Sequence, residues 1–300
     1  MARRLEGIIV AMVTPFKEDE SLDEDGLRAL TRVLVDKGVH GLFPGGSQGE
    51  FYALSSDEQR RVLDVTLDAA EGKPFVVAHA GAITTREAIS MARYAERAGA
   101  DAVAAITPFY VSPSQDELYQ HYAEVCAAVS LPVLGYNNPG RTAVQLQPVT
   151  TARIAREAAN FVGVKDSSGD LTQFTEYIRL GPTGFRAFMG RDSLIFPALL
   201  CGAAGAVAAT ANVAPEYIVG IYDAVRAGDN ARGLDLQRRL SPLRIAFGMG
   251  TFPVVVKEAM GLLGLPAGPT RRPVGPLSEE TRARLRDVLQ QMGILPAGRA

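Results

Sequence analysis

The sequence has few cysteines, no long apolar run and almost no net charge. Its 300 residues include only two cysteines, which cannot form the disulfide framework of a secreted protein, so we expect a reducing, cytoplasmic environment. Basic and acidic residues number 31 and 33, and the net charge of −2 argues against nucleic acid as the main partner. No apolar run reaches the roughly 18 residues of a membrane span, so we expect no membrane attachment.

Side chains that could carry chemistry are also scarce. Of the 31 basic residues only five are lysines, so any lysine chemistry must come from a short set. The lysines are Lys17, Lys37, Lys73, Lys165 and Lys257. His40 precedes the second predicted strand, His79 ends the third and His121 lies in a predicted helix, so the three make no metal cluster. Neither cysteine has a nearby histidine pattern, so we expect no bound metal. Apolar residues make up 47% of the chain, which is enough for a sizeable core.

Short apolar runs typical of β-strands alternate with amphipathic helical patterns along most of the chain. The predicted strands are Ile8–Val13, Gly41–Phe43, Phe75–His79, Ala102–Ile106, Pro132–Tyr136, Phe161–Lys165, Arg186–Met189 and Ala206–Ala209. Helices predicted between them include Asp57–Glu71, Thr85–Ala98, Gln115–Val129 and Leu171–Leu180. Because parallel strands need crossover helices, the eight units predict an α/β fold, a closed (β/α)8 TIM barrel. The alternative is an open doubly wound sheet, but Thr14, Pro15 and Phe16 stand where its glycine-rich turn would be.

After residue 226 the alternation ends and the pattern predicts helices alone. Helical periodicity covers Asp229–Phe247, Thr251–Leu263 and Ser278–Met292. We therefore expect a catalytic barrel over residues 1–226 and a C-terminal helical appendix, residues 227–300, packed on the barrel. Active sites of such barrels lie at the carboxyl ends of the strands, so the residues that end each predicted strand are the candidates.

Lys165 is the first of these candidates. It ends an apolar strand, and burial at the barrel mouth would disfavour its charged form. A neutral lysine amine can attack a ketone and form a Schiff base. The alternatives are a lysine that reaches out to water or one that pairs with Asp166. Lys257 lies in a helical region beyond the barrel and is a weaker candidate.

Three other strand ends carry residues that suit the same chemistry. Tyr136 ends the fifth strand and can carry a proton, and Arg141, five positions on, can bind a carboxylate with its guanidinium. The glycine-rich turn after the second strand exposes backbone N–H groups that can bind a small anion, and Ser47 adds a hydroxyl. His79 ends the third strand. The structural alternatives are a packed aromatic, a solvent-facing arginine, an ordinary turn and a buried structural histidine.

Four motifs, each at a strand end, resemble those of the dihydrodipicolinate synthase / N-acetylneuraminate lyase family. In chain order they are GGSQGE, ITPFY, GYNNPGRT and GVKDSSGD. The resemblance covers almost the whole chain and implies a class I pyruvate aldolase that uses neither metal nor cofactor. In such enzymes a lysine condenses with the ketone of pyruvate, the methyl group of the iminium loses a proton, and the enamine adds to an aldehyde. The reverse reaction cleaves a 2-oxo acid.

The resemblance also implies roles for particular residues. Lys165 matches the Schiff-base lysine and Tyr136 the catalytic tyrosine. Backbone amides near Ser47 and Gln48 would hold the carboxylate of pyruvate, and the Ser47 hydroxyl would join the proton relay. Tyr110 matches a tyrosine that family members lend to a neighbouring subunit's site, so we expect a homo-oligomer, either a tetramer or a dimer.

Different residues of the sequence favour different second substrates. Arg141 matches the arginine that dihydrodipicolinate synthases use for the carboxylate of aspartate semialdehyde, which favours a synthase-like condensation. Gln48 stands where synthases typically have a threonine, and an amide cannot pass on a proton as a hydroxyl does. His79 and Asp192 look more lyase-like, and Asp192 matches a residue that binds sugar hydroxyls.

These residues allow the candidate functions to be ranked, but more than one function stays open. A synthase-like condensation of pyruvate with aspartate semialdehyde comes first. The alternative is an aldolase or dehydratase of 2-keto-3-deoxy sugar acids, or an N-acetylneuraminate lyase-like enzyme, and a non-catalytic 2-oxo-acid-binding protein is a minor one. Gly190 and Val207 are expected as further substrate contacts.

Overall fold

The computed structural model describes residues 5–296 and contains a closed barrel of eight strands in chain order. The strands are β1 Gly7–Ala11, β2 Gly41–Phe43, β3 Phe75–His79, β4 Ala102–Ile106, β5 Val133–Asn137, β6 Phe161–Asp166, β7 Arg186–Met189 and β8 Gly205–Ala208. From β2 to β8, each strand pairs in parallel with the next. The predicted barrel is confirmed, and every predicted strand is present with ends that differ by at most two residues.

Twelve α-helices lie within residues 5–296. They are α1 Glu24–Asp36, α2 Ser56–Ala70, α3 Thr85–Ala98, α4 Gln115–Ala128, α5 Pro139–Thr142, α6 Pro148–Glu157, α7 Leu171–Leu180, α8 Ile195–Leu200, α9 Pro215–Arg226, α10 Asn230–Ala246, α11 Val254–Leu262 and α12 Glu279–Gln291. The last three, α10–α12, match the three helices predicted after residue 226, which confirms the predicted C-terminal helices; α9 lies between β8 and these three.

Serine residues fix the start of two helices. The Ser55 and Ser114 hydroxyls accept hydrogen bonds from the backbone N–H groups of Glu58 and Glu117, at 3.2 and 3.3 Å. Each glutamate in turn accepts from the backbone N–H of its serine, at 2.8 and 2.7 Å. These capping boxes satisfy N–H groups that have no partner inside the helix, and they set where α2 and α4 begin.

The chain divides into two compact units. The first consists of the described residues up to Ile9, His40–Phe43 and Phe75–Ala208. It contains strands β2–β8 and helices α3–α8. Its strands are almost entirely buried, as expected for parallel strands that are covered on both faces.

The second unit consists of Val10–Val39, Pro44–Pro74 and the residues from Ala209 onward. It contains helices α1, α2 and α9–α12. Its core includes Leu30 and Leu240, which are fully buried. The predicted division of the chain at residue 226 stays a prediction.

The described helices and the two cysteines bear on the expectations about membranes and disulfides. No helix among residues 5–296 combines the length and apolar character needed to cross a bilayer. Cys126 is buried, Cys201 is exposed, and both are free thiols. A disulfide therefore plays no part in holding this fold together.

Candidate active site

Lys165 lies at the carboxyl end of β6, and only 4% of its surface is exposed. In the parallel register it pairs with Tyr136 on β5 and with Phe188 on β7. Residues in register on neighbouring strands point to the same face of a sheet, so the side chains of Lys165 and Tyr136 meet. The lysine Nζ lies 3.8 Å from the centroid of the Tyr136 ring and 4.8 Å from that of Phe43.

The aromatic rings beside Lys165 hold one another in place. Phe43, the last residue of β2, packs edge-to-face against Tyr136 and His79, with ring centroids 6.1 and 5.8 Å apart. Asn138 Nδ2 donates a hydrogen bond of 3.0 Å to the Tyr136 hydroxyl oxygen. In this bond the tyrosine oxygen is the acceptor, so the contact with Asn138 does not use the hydroxyl proton. Asn138 therefore helps to fix the position of the tyrosine hydroxyl beside the lysine.

Asp166 lies next to Lys165 in sequence but does not pair with it. Successive strand residues point to opposite faces, and the Asp166 carboxylate bonds to Asn137 Nδ2 at 2.7 Å and to the Ser168 hydroxyl at 2.7 Å. Burial raises the pKa of Asp166. Within residues 5–296, no carboxylate lies at ion-pair distance from Lys165. Neither of the alternatives, a solvent-reaching lysine or a pair with Asp166, describes this residue.

His79 is the buried last residue of β3. Burial, and to a smaller extent the positive charge of Lys165, lower the pKa of His79 to about 3. The imidazole is therefore neutral at physiological pH. In that form it can take part in hydrogen bonding, but it has no proton of suitable acidity to give.

Three of the predicted substrate contacts lie on or after β7 and β8. Gly190 directly follows β7, and its N–H donates to the Asp166 carbonyl at 2.7 Å. A Cβ on Gly190 would overlap the Ser167 hydroxyl, which is a packing reason for glycine here. Asp192 and Val207 are both buried.

Tyr110 and Arg141 are exposed, unlike the other candidates of the first unit. Tyr110 is 96% exposed and has a φ of 72°, in the left-handed region that non-glycine residues seldom adopt. Arg141 lies in α5, a helix of a single turn.

Ser47 and Gln48 belong to the second unit and are both buried. Gln48 is 3% exposed, and neither atom of its side-chain amide has a hydrogen-bond partner among residues 5–296. Buried polar groups without partners are rare in folded proteins, so this amide is available to a ligand. The predicted roles of both residues stay predictions.

The part of the chain that the structure describes contains no group of three or more histidine, cysteine, aspartate or glutamate residues able to hold a metal ion. The expectation of a metal-free reaction stays a prediction, as does that of a reaction without a cofactor.

Comparison with known proteins identifies the family. Residues 4–292 match the sequence profile of the Dihydrodipicolinate synthetase family. The chain belongs to this family. A curated relative, the 4-hydroxy-tetrahydrodipicolinate synthase of Methanopyrus kandleri, is 40% identical over 299 residues, which cover 99% of this chain and 100% of the relative.

Solved structures of the dihydrodipicolinate synthetase family have the same fold. The dihydrodipicolinate synthase of Thermotoga maritima superposes with a TM-score of 0.94 at 34% identity, over 98% of this chain and 100% of that chain. YagE, a family member from Escherichia coli solved in complex with pyruvate, superposes with a TM-score of 0.94 at 32% identity, over 97% of this chain and 100% of that chain.

Membership of the dihydrodipicolinate synthetase family over nearly the full length confirms the predicted enzyme class. The protein is a lyase of the class I aldolase type, pyruvate-dependent and Schiff-base-forming, and resembles dihydrodipicolinate synthase.

Phe43 and Asn138 both contact Tyr136, and neither is among the site residues predicted from the sequence. Phe43 ends β2 and Asn138 directly follows β5. The rule that selected Lys165, that barrel chemistry lies at the carboxyl ends of strands, would have selected both.

Proposed function

We propose that this enzyme condenses pyruvate with aspartate semialdehyde through a Schiff base on Lys165. The observation that supports this assignment most directly is the position of Lys165: it is buried at the end of β6, with its Nζ against the ring of Tyr136. The pyruvate-bound family member of the same fold is consistent with the first substrate.

The proposed reaction begins when Nζ of Lys165 attacks the ketone carbon of pyruvate. Water leaves, and the iminium that results draws electrons from the neighbouring methyl group. Loss of a methyl proton gives an enamine, whose carbon forms a bond to the aldehyde carbon of the second substrate. The aldehyde oxygen takes up a proton, and the product is again an iminium on Lys165. A water molecule adds to the iminium carbon, and cleavage of the carbon–nitrogen bond then releases the 2-oxo acid product and returns Lys165 to its amine form.

Tyr136 is the proposed proton carrier for these steps. Its hydroxyl is held by a hydrogen bond from Asn138, and its ring lies against Lys165 Nζ, so it is placed to transfer a proton at the reacting amine. His79 is neutral and is proposed as a substrate-binding group, not an acid. Arg141 is proposed to bind the carboxylate of aspartate semialdehyde, and Gly190, Val207 and Asp192 to contact substrate.

The carboxylate of pyruvate is assigned, on the resemblance alone, to backbone amides near Ser47 and Gln48, with the Ser47 hydroxyl in the proton relay.

A homo-oligomer is proposed because Tyr110 is 96% exposed in a left-handed conformation beside the exposed Val111. Sedimentation velocity tests that proposal: a monomer at assay concentration would contradict it. The cytoplasm remains the proposed compartment.

A second candidate is the cleavage or dehydration of a 2-keto-3-deoxy sugar acid, or an N-acetylneuraminate lyase-like reaction. It is favoured by the buried His79 and Asp192, because two buried polar groups suit a polyhydroxylated substrate. The ratio of kcat/KM values for aspartate semialdehyde and for sugar-derived 2-oxo acids separates the two functions.

Borohydride reduction in the presence of pyruvate tests the shared first step. We expect a covalent adduct of reduced pyruvate, located on Lys165 by peptide mapping. Lys165→Ala should abolish both the adduct and turnover, whereas Lys73→Ala, at an exposed lysine, should keep both. Turnover by folded Lys165→Ala would remove Lys165 from the mechanism. Trapping with sugar-derived 2-oxo acids but not with pyruvate would favour the second candidate.

A further inference from the structure

The second unit contains a buried lysine that the proposed mechanism does not use. Lys257 on α11 forms an ion pair with Glu50, with Nζ 2.6 Å from Oε1 and both side chains 1% exposed. Lys257 Nζ also donates a hydrogen bond of 2.7 Å to the Pro269 carbonyl and lies 4.2 Å from the centroid of the Phe16 ring. Burial lowers the pKa of Lys257 to about 8, although the charge of Glu50 acts in the opposite direction. Burying two charges is costly, so a buried ion pair is weak evidence for a contribution to stability.

Glu50 ends the glycine-rich turn that carries Ser47 and Gln48. Its φ is 57°, a left-handed conformation that is costly for a residue with a side chain. The Glu50 N–H donates to the Ser47 carbonyl at 3.2 Å, which closes the turn. The Thr14 hydroxyl donates to the Gly49 carbonyl at 2.7 Å. These hydrogen bonds restrain the backbone of the turn, and the ion pair with Lys257 adds a restraint through the Glu50 side chain.

Arg271 holds the other oxygen of the Glu50 carboxylate. Its backbone N–H donates to Glu50 Oε2 at 3.1 Å. Its guanidinium binds the Ala53 carbonyl at 2.7 Å and forms a forked pair with Glu58, in which Nη1 lies 2.9 Å from Oε2. Both carboxylate oxygens of Glu50 are thus fixed by residues of the C-terminal part of the chain.

The turn also carries the buried side-chain amide of Gln48, which has no partner among residues 5–296. A glycine-rich turn with backbone N–H groups and an unpartnered buried amide is suited to bind a small anion.

We propose that Lys257 and Glu50 are positioning residues for pyruvate: their buried ion pair holds the turn 46–50 in the conformation that binds the pyruvate carboxylate. This proposal rests on the proposed function. Neither residue touches substrate, and the effect passes through the backbone of Ser47 and Gln48.

The test measures the pyruvate concentration that half-saturates borohydride trapping of Lys165, together with kcat and the melting temperature. The variants are Lys257→Met, Glu50→Gln and the two combined. Lys37→Met is the matched control, because it makes the same substitution in an exposed ion pair with Glu216.

We expect each single variant and the double variant to raise the half-saturating pyruvate concentration by about 10- to 100-fold, since small errors of position have effects of that size. Saturating pyruvate should still label Lys165, and Lys37→Met should leave the half-saturating concentration unchanged. Lys257→Met should lower the melting temperature most, because it leaves a buried carboxylate unpaired, and the double variant should recover part of that loss.

If the ion pair only stabilises the fold, the double variant should recover pyruvate affinity together with its melting temperature. That result would overturn the proposal. An unchanged half-saturating concentration in folded variants would do the same. If Lys257→Met does not fold, Glu50→Gln and the double variant give the comparison. If the unmodified enzyme does not trap pyruvate, the proposed function is overturned as well. If the variants trap pyruvate with unaltered affinity, only the positioning role of Lys257 and Glu50 is overturned.

Discussion

Lys165 and Tyr136 are register partners on neighbouring strands, and the lysine Nζ lies 3.8 Å from the centroid of the tyrosine ring. Backbone hydrogen bonds between β5 and β6 fix this relationship, and neither side chain is needed to maintain it. A change at one of the two residues should therefore leave the other in place, which allows their roles to be separated by substitution.

Tyr136→Phe removes the hydroxyl and keeps the ring beside Lys165. We expect kcat to fall by about 10²- to 10⁴-fold, the usual contribution of a positioned acid or base. Borohydride should still label Lys165 to the same final extent with pyruvate. Tyr119→Phe, which removes an exposed hydroxyl bonded to Glu157, is the control and should keep kcat unchanged. A Tyr136→Phe enzyme with nearly normal kcat would show that another group carries the proton.

Arg141→Ala should impair use of the acidic aldehyde and spare pyruvate. Hydrogen bonds to charged groups contribute about 1.5–3 kcal/mol, so we expect the KM for aspartate semialdehyde to rise by about 10- to 100-fold. The half-saturating pyruvate concentration in trapping should not change. Arg141→Lys should recover only part of the loss, because an ammonium lacks the guanidinium fork. Equal losses for both substrates would mean that Arg141 is structural or serves pyruvate.

The sequence was sufficient to predict the barrel and the residues beside the proposed reacting amine. The strands are short, mostly apolar runs, and the rule for strand ends then selects Lys165, Tyr136 and His79. Contacts between distant segments could not be predicted in this way. Arg271 reaches Glu50 from 221 positions away, and no periodicity or local motif indicates that pairing.

Gly190 allows a test of whether a predicted substrate contact also has a packing role. Gly190→Ala would place a Cβ against the Ser167 hydroxyl and 2.9 Å from the Asp166 carbonyl oxygen. We expect the free energy of unfolding to fall by about 1–3 kcal/mol, the usual cost of overpacking. Gly261→Ala on α11 is the matched control: its Cβ meets nothing within 4 Å, so it should raise stability slightly. Equal melting temperatures for the two variants would contradict the packing role.

His79 should make stability depend on pH in a defined acidic window. Its pKa is lowered from 6.5 to about 3 in the folded protein, mainly by burial. Between these values the unfolded chain binds a proton at His79 that the folded chain does not bind. The free energy of unfolding therefore falls as pH is lowered from 6.5 towards 3, by at most about 1.4 kcal/mol per pH unit from this group. Above pH 6.5 its full contribution to stability is retained.

Urea unfolding of His79→Gln at several pH values between 4 and 6.5 checks this expectation. The variant should lose stability less steeply on acidification than the unmodified protein. His121→Gln is an informative comparison, because burial also lowers the pKa of His121, to about 4, so its removal should flatten the same window. An unchanged slope in His79→Gln would mean that the folded protein protonates His79. The imidazole could then act as an acid beside Lys165, and the neutral binding role proposed for it would be wrong.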